Sequence, residues 1–594
     1  MTCRRTLAIA ALLAGLFATI ALRPMVAHPE STLCAYDHPG DAMISIWSTW
    51  LRLEALAGRW SMTPCPLVAA PEGVDFRTSP PEPVIEWPLL LLARAIGEIR
   101  AFNLWLWLTF PLAAATMALL VLEASGRPMA AIVAGVLYAC APYHFAHTLQ
   151  LSLASIQWLP LGLWSWLVLA KTPNARSAVL HAACSGLIVW TTAYYGFLFA
   201  VASGVMVLWL MSSRHPWAPT RRLFLGWGAA AIGLVGACSL LWYAPFLRSL
   251  RQAPPVAWET RYAWPLKHLF VYAAKPWDYL VPSMHHPWWG PVVAPWTVAH
   301  LYGSNVVEQT LYVGLAALAL AGWGVVRRRA APAGERSAIT LFIGLGLVGL
   351  WYSAPPLFPL GSFRIEHDRI IARTALYFPS ALLHHVLPFF RVYARFGLIV
   401  QLAVAALAGL GMARLWDDAR GPRWRRRLLL TAVGGILALD YAVAMPFRDV
   451  GRAPAVYEWL ARQPQAGPIA EYPFLPSAHT IHAEYLFAQR IHRHPMVNGA
   501  HDSTAAGQQR LWLANLENPG VPAQLKARGV SLVLVHRNLY RAIPKRPTTI
   551  EVLGVRYAVP QRHPDETLPP PPAVIPGLRA VAAFGDTTVY RVDA

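Results

Sequence analysis

The chain has 594 residues, of which 56% are hydrophobic and only 13% charged, and it carries a formal net charge of +20. A soluble chain carries about twice that charged fraction, so an ordinary soluble enzyme is excluded and a polytopic α-helical membrane protein is expected. The basic excess would suit a nucleic-acid binder in a soluble chain. Here the Lys and Arg residues gather between apolar runs, and nucleic acid is not an expected partner.

The first apolar run, "TLAIAALLAGLFATIAL", follows Arg4 and Arg5. No clean small-x-small cleavage site follows it, and Arg23-Pro24 interrupts the place where one would lie, so an uncleaved anchor is expected. Counting runs of roughly 17 to 25 mainly apolar residues gives about eleven candidate spans. They lie near 6–23, 101–122, 129–146, 152–170, 178–194, 196–211, 223–244, 308–326, 338–354, 396–414 and 428–446. The pair around "TTAYYGFLFA" could instead be one long bent run. With Arg4 and Arg5 inside, alternation puts Arg127, Lys171, Arg176, "SSRHPWAPTRR", "RRRAAPAGER" and "WDDARGPRWRRR" inside as well. "PYHFAHTLQ" and the turn at "YYG", which hold no Lys or Arg, then fall outside.

Four long segments are placed outside by the same alternation: 24–100, 245–307, 355–395 and the tail from 447. The expected organisation is a membrane module over 1–446, including the first three of these loops, and an extracytoplasmic α/β domain over 447–594. In the tail, "APAVYEWLARQP" and "HAEYLFAQRIHR" read as helices, and "GPIAEYPF" and "GVSLVLVHR" as strands. "VAAFGDTTVYRV" reads as a closing hairpin around Gly585-Asp586, preceded by the stiff connector "LPPPPAVIPG". Six cysteines are too few for a disulfide framework, although Cys34 and Cys65 share one polar segment and could pair there.

An N-terminal anchor followed by a long loop holding an acid, a multi-span bundle interrupted by loops with amphipathic pieces, and a C-terminal α/β domain together resemble the GT-C superfamily of membrane glycosyltransferases. The strings "GDAMISIWSTWL", "PYHFAHTLQLSLASIQWLPL", "FRVYARFGLIVQLAVAALAGLG" and "LFAQRIHRHPMVNG" resemble its YfhO-like branch. The resemblance implies a GT-C fold. It also implies transfer of a sugar from a polyprenyl-phosphate carrier to an acceptor at the outer side of the membrane.

Asp41 is the first candidate catalytic residue. Inverting transfer needs a single base to deprotonate the acceptor hydroxyl, and Gly40 allows tight backbone approach beside a ligand. The competing reading makes Asp41 a cap for the helix "AMISIWSTWLRLEAL". Asp37, in the turn "YDHPG", is the alternative acid. His144 and His147, three apart, share a helix face and read as cavity lining with Gln150, or as two metal ligands. Arg391 and Arg395 in "FFRVYARFGL" stand against the charge bias of an outer loop and suit a carrier phosphate. Tyr194 and Tyr195 are belt residues or a stacking platform for sugar or isoprenoid. Glu366 and Asp368 in "RIEHDR" are further weak metal candidates. Asp440 lies inside an apolar run, where an ionisable group marks a site by default. His479, His482, His492 and His494 read as packing or acceptor contacts.

The expected function is an inverting GT-C transfer from a polyprenyl-phosphate sugar at the outer face of the inner membrane, with the N-terminus cytoplasmic. The main alternative is a transporter or flippase of lipid-linked sugars, disfavoured by the lack of an internal repeat. A scaffold with a decayed site is a third reading. No nucleotide cofactor is expected, and a divalent metal stays open.

Overall fold

A computed structural model of the protein describes residues 2–36, 38–212, 221–252, 264–301, 304–359, 363–366, 369–372, 375–419, 422–463, 467–475, 480–499, 510, 512–540, 548–552, 555–559 and 570–593. Among these, seven helices are long and apolar enough to cross a membrane. They are Cys3–Ala21, Glu98–Ser125, Pro128–Ala146, Ala193–Ser212, Arg221–Ser249, Ala333–Ser353 and Tyr393–Asp418. The other four apolar runs of the sequence are helical too, as Trp158–Lys171, Ala175–Val189, Leu315–Val326 and Arg423–Asp440. They are shorter or more basic, so the expected count of about eleven spans becomes seven by length and composition among the described residues. The causes are local. The expected span at 308–326 is a four-residue helix, Val306–Gln309, and the Leu315–Val326 helix, divided at Gly314, whose φ of +83° suits glycine. Around "TTAYYG" the chain forms two helices, Ala175–Val189 and Ala193–Ser212.

Gly397–Asp418 lies at the centre of the bundle and packs against Leu315–Val326, Pro128–Ala139 and Ala333–Ser353. Its small residues allow that approach. A methyl group on Gly411 would overlap the carbonyl oxygen of Leu320, and one on Gly409 that of Ala130. Lipid supplies no hydrophobic drive between helices, so such close backbone contact is a main source of cohesion. Cys3–Ala21 turns Ala10, Ala14 and Ala18, one helix face, into the same core against Glu98–Ser125.

The basic connections meet at one end of this bundle. Arg127 pairs with Asp417, Lys171 with Glu123, Arg327 with Asp418 at 3.1 Å, and Arg414 with Glu335 at 2.6 Å. At the other end, strand Thr32–Cys34 pairs antiparallel with Phe447–Asp449, which joins the start of the first long loop to the start of the tail. The tail builds a small four-stranded sheet in the spatial order Leu578–Phe584, Thr587–Val592, Leu532–His536, Ile469–Tyr472. The first two contacts are antiparallel and the last is parallel. Alternation along Leu532–His536 sends Leu532 and Leu534 to one face, and Val533 and Val535 to the other. The first face is covered by Trp47, Trp50 and Leu51 of the Gly40–Leu56 helix, together with Thr480–His492.

Cys34 and Cys65 are both free thiols. Cys34 is buried with its sulfur 3.7 Å from that of Met25, and Cys65 forms a β-bridge with Val74, so each is held by its own local packing rather than by the other. Asp440 is a helix cap: its carboxylate accepts the Tyr312 hydroxyl at 2.5 Å and the Ala316 amide at 2.8 Å, at the start of Leu315–Val326.

Candidate functional site

A cavity of about 500 Å³ opens at the end of the bundle that carries the tail. One wall is the Gly40–Leu56 helix. Asp41, Ser45, Ser48 and Arg52 recur at i, i+4, i+7 and i+11, so they share one face and line the cavity. The opposite face carries Met43, Trp47 and Trp50 into the packing below the sheet. The helix is thus held from behind by the tail, with Trp47 Nε1 donating to Gln489 Oε1 at 2.9 Å.

Asp41 lies in the first turn of that helix, where the N-cap residue is Pro39. Asp41 is exposed, and its Oδ2 accepts a hydrogen bond from Gln150 Nε2. Its carboxylate therefore faces the cavity instead of closing the helix end. Asp37 lies outside the described residues.

The facing wall combines the Val306–Gln309 helix with 391–395. Glu308 is 5% and Arg395 7% exposed. The guanidinium grips the carboxylate, Nε at 3.2 Å from both oxygens and Nη2 at 2.5 Å from Oε1. Arg395 also stacks on Tyr194, with Cζ 4.2 Å from the ring centre. Burial alone would raise the Glu308 carboxyl; the Arg395 charge, with the His147 imidazole beside it, outweighs burial and holds Glu308 well below the usual carboxylate range.

Arg391 is held differently. Its Cζ sits 3.7 Å from the Trp264 ring and 5.0 Å from that of Tyr272. Its Nη1 donates to His268 Nδ1 at 3.4 Å. No carboxylate pairs with it among the described residues. Burial, and next the Arg391 charge, push the His268 imidazole down to about 4, so it stays neutral and leaves Arg391 the local cation.

A third wall holds a cluster absent from the sequence reading. Arg52 Nη2 donates to Glu86 Oε1 at 2.6 Å, which leaves Glu82 beside a second acid. Burial, and then the Glu86 charge, push the Glu82 carboxyl up to about 8. The signals were in the sequence: a polar stripe at helical spacing from Asp41 to Arg52, and the acids Glu82, Glu86 and Glu308 in a chain with 30 acids against 50 basic residues.

Of the residues expected to line the cavity, Gln150 and Tyr194 do so. His144, His147 and Tyr195 lie behind the surface, and the two histidines turn apart. His144 is hydrogen-bonded through Nδ1 to the Ala139 carbonyl at 2.7 Å and through Nε2 to Thr109 Oγ1 at 2.9 Å, and it stacks on Phe110. His147 donates Nδ1–H to the Tyr143 carbonyl at 2.8 Å, and its Nε2 faces Glu308 Oε2 at 3.7 Å. A five-residue helix, Pro142–Ala146, ends between them, so they do not share a face as a metal pair. Tyr195 is buried and donates its hydroxyl to the Leu153 carbonyl. Asp368 lies outside the described residues, as does His479, and of Glu366 only the backbone, in strand Phe363–Glu366, is described. His494 bonds the Leu460 carbonyl at 3.0 Å, and its amide donates to His492 Nδ1 at 3.1 Å, so both serve packing. Among the described residues, no three His, Cys, Asp or Glu side chains converge as a metal site.

No protein-family model and no curated protein sequence matches the chain. Solved structures do. The arabinofuranosyltransferase AftD from Mycobacteria superposes with a TM-score of 0.53 at 16% identity, over 100% of this chain and 42% of that one. This chain thus spans less than half the length of that enzyme. The oligosaccharyltransferase from Archaeoglobus fulgidus, in complex with Zn and sulfate, superposes with a TM-score of 0.50 at 11% identity, over 93% and 73% of the two chains. ArnT from Cupriavidus metallidurans bound to undecaprenyl phosphate is similar at a TM-score of 0.49 and 14% identity, over 98% of each chain. The bundle, the loop helix that carries an acid at its first turn, and the small sheet set against that helix make this a multi-pass membrane protein with the fold of the GT-C glycosyltransferases.

Proposed function

We propose that the protein transfers a sugar from a polyprenyl-phosphate carrier to an acceptor hydroxyl, with inversion, at the outer face of the inner membrane. One observation carries this reading: a single cavity holds an exposed carboxylate, Asp41, and a cation without a carboxylate partner among the described residues, Arg391. Asp41 takes the proton of the acceptor hydroxyl. The acceptor oxygen attacks the anomeric carbon as the bond from that carbon to the phosphate oxygen breaks. The phosphate leaves with the bonding electrons, and Arg391 stabilises its new charge. Arg395, the other cation expected at the phosphate, is already neutralised by Glu308. It acts by holding Tyr194 and the wall in place.

The carrier's tail has a place beside this cavity. Tyr272 lines the polar site, while Phe270, two residues earlier, lines an apolar hollow of about 740 Å³ together with Leu318, Leu350, Phe378 and Val400. A carrier whose phosphate meets Arg391 would lay its isoprenoid there. The ion-paired basic end supports a cytoplasmic N-terminus and an outer cavity. Among the described residues no three His, Cys, Asp or Glu side chains converge on one point, and Glu308 is turned to Arg395. The steps are therefore assigned to side chains alone.

The test is a transfer assay in membranes with labelled polyprenyl-phosphate sugars, comparing wild type with Asp41→Asn at equal insertion. Loss of transfer by about a thousandfold is expected for removal of a general base. Equal movement of label across the bilayer in both proteins, with no bond broken, would replace the transferase by a flippase.

A further inference from the structure

A second cleft, of about 260 Å³, lies on the other side of the Gly40–Leu56 helix from the Asp41 cavity. Met43 lines this cleft, while Asp41 and Ile44 line the first, so the two lie on different faces of the same first turn. The remaining walls come from the tail: Tyr457, Tyr485, His536, Asn538 and Thr587. At its edge His38, Arg448 and Glu484 join the first loop to the tail. Arg448 Nη1 donates to Glu484 Oε1 at 2.8 Å, and His38 Nε2 lies 3.2 Å from the same oxygen.

The floor is ordered by a buried acid. Glu471 is 0% exposed, and its Oε2 accepts from the Tyr457 hydroxyl at 2.7 Å and from His536 Nε2 at 2.9 Å. His536 Nδ1 shares a hydrogen bond with the Thr587 hydroxyl at 2.9 Å, so both ring nitrogens are engaged. The other carboxylate oxygen, Oε1, has no hydrogen-bond partner among the described residues. A half-satisfied buried carboxylate lowers stability relative to an apolar replacement. Three members of this network, Tyr457, His536 and Thr587, line the cleft.

The geometry points to a carbohydrate site in this cleft, which seats the saccharide body of the acceptor while its reacting hydroxyl reaches Asp41 over the first turn of the helix. This rests on the transferase reading for the reaction, but not for the binding. The lining offers a sugar's hydroxyl groups the exposed amide of Asn538 and the half-buried Arg448–Glu484 pair, beside the apolar side chains of Met43 and Phe487. Arg448 is neutralised by Glu484, so the inner cleft suits an uncharged sugar. Arg452 at the exposed rim can meet an acidic one.

The experiment is saturation-transfer NMR on the full chain in lipid nanodiscs. The probes are methyl glycosides of neutral hexopyranoses and pentofuranoses, and a methyl hexuronoside. At least one glycoside is expected to bind saturably to wild type and equally to Asp41→Asn, and about tenfold more weakly to Asn538→Ala and Thr587→Val. Asn538 is exposed, so its variant tests the cleft without disturbing the core. Absence of saturable binding by every probe overturns the assignment. So does binding that survives both cleft variants but is lost with Asp41→Asn, which would place the sugar in the first cavity. Transfer activity read in parallel separates the two claims. If Asp41→Asn still transfers, the general base is wrong while the cleft stands on its own binding result.

Discussion

The two walls of the Asp41 cavity are built on opposite plans. On the Gly40–Leu56 helix, Asp41 is exposed and its carboxylate has the Gln150 amide as its one hydrogen-bond partner among the described residues. Across from it, Glu308 and Arg395 are buried and bind each other through three contacts, with Tyr194 stacked on the guanidinium and His147 behind the carboxylate. The first wall offers a group free to exchange a proton with a ligand. The second spends its charges on itself and gives a rigid surface. Charge alone therefore does not mark the reactive group; what matters is whether the charge is already used.

This contrast is broken most severely at Glu308. Glu308→Gln leaves Arg395 buried without its counter-charge, which costs about 3–5 kcal/mol. A large drop in thermal unfolding midpoint is expected, with loss of transfer following from misfolding. An unchanged midpoint with a selective loss of transfer would instead put Glu308 among the reacting groups. Next in size is Arg391→Lys. The ammonium keeps the charge but loses the flat fork held between Trp264 and Tyr272. Transfer should fall by about tenfold to a hundredfold, or about 1.4 to 2.7 kcal/mol, with the unfolding midpoint kept. If Arg395→Lys alone produces that selective loss, the phosphate belongs to the paired arginine.

Glu82 sharpens the comparison from the third wall. Its carboxyl titrates at about 8 rather than 4.5, through burial and the Glu86 charge, against the pull of Arg52 and a Ser152 hydrogen bond. Tyr243 is the further ionisable group that faces the pair. Between those two pH values the folded chain holds a proton that the unfolded chain has released, so stability falls as pH rises from about 4.5 to about 8. Glu82→Gln should remove that slope, so the difference between the two proteins' unfolding midpoints should itself change across this pH range. An identical pH dependence in both would return Glu82 to an ordinary solvated acid.

Much of the fold was legible because membrane helices and half-buried strands write their periods into the sequence. All eleven apolar runs are largely helical, and the strands of the tail's four-stranded sheet fall where alternation or apolar runs placed them, whereas 447–449, 548–552 and 555–559 were not read as strands. The span count was less legible, because Gly314 and the 306–309 turn act on the backbone without altering mean hydropathy. Asp41 stood out as an isolated acid before an amphipathic run. Glu308 did not, because it sat at the edge of an apolar run and its meaning depends on Arg395, 87 residues later. The histidines misled for a related reason. Spacing by three implies a shared face only while the helix lasts, and here it stops at Ala146.

The smallest effect tests whether Asp41 acts alone. Gln150 Nε2–H donates to Asp41 Oδ2, a hydrogen bond that orients the carboxylate. Gln150→Leu removes it, at a net value of about 0.5–1.5 kcal/mol, so a threefold to tenfold change in kcat is expected. If Gln150 works only by positioning the base, the loss appears in kcat rather than KM. In the Asp41→Asn background the same change should add nothing further. An additive loss in the double variant would show that Gln150 contacts the sugar directly, and the first wall would then carry two groups that meet the substrate rather than one group and its support.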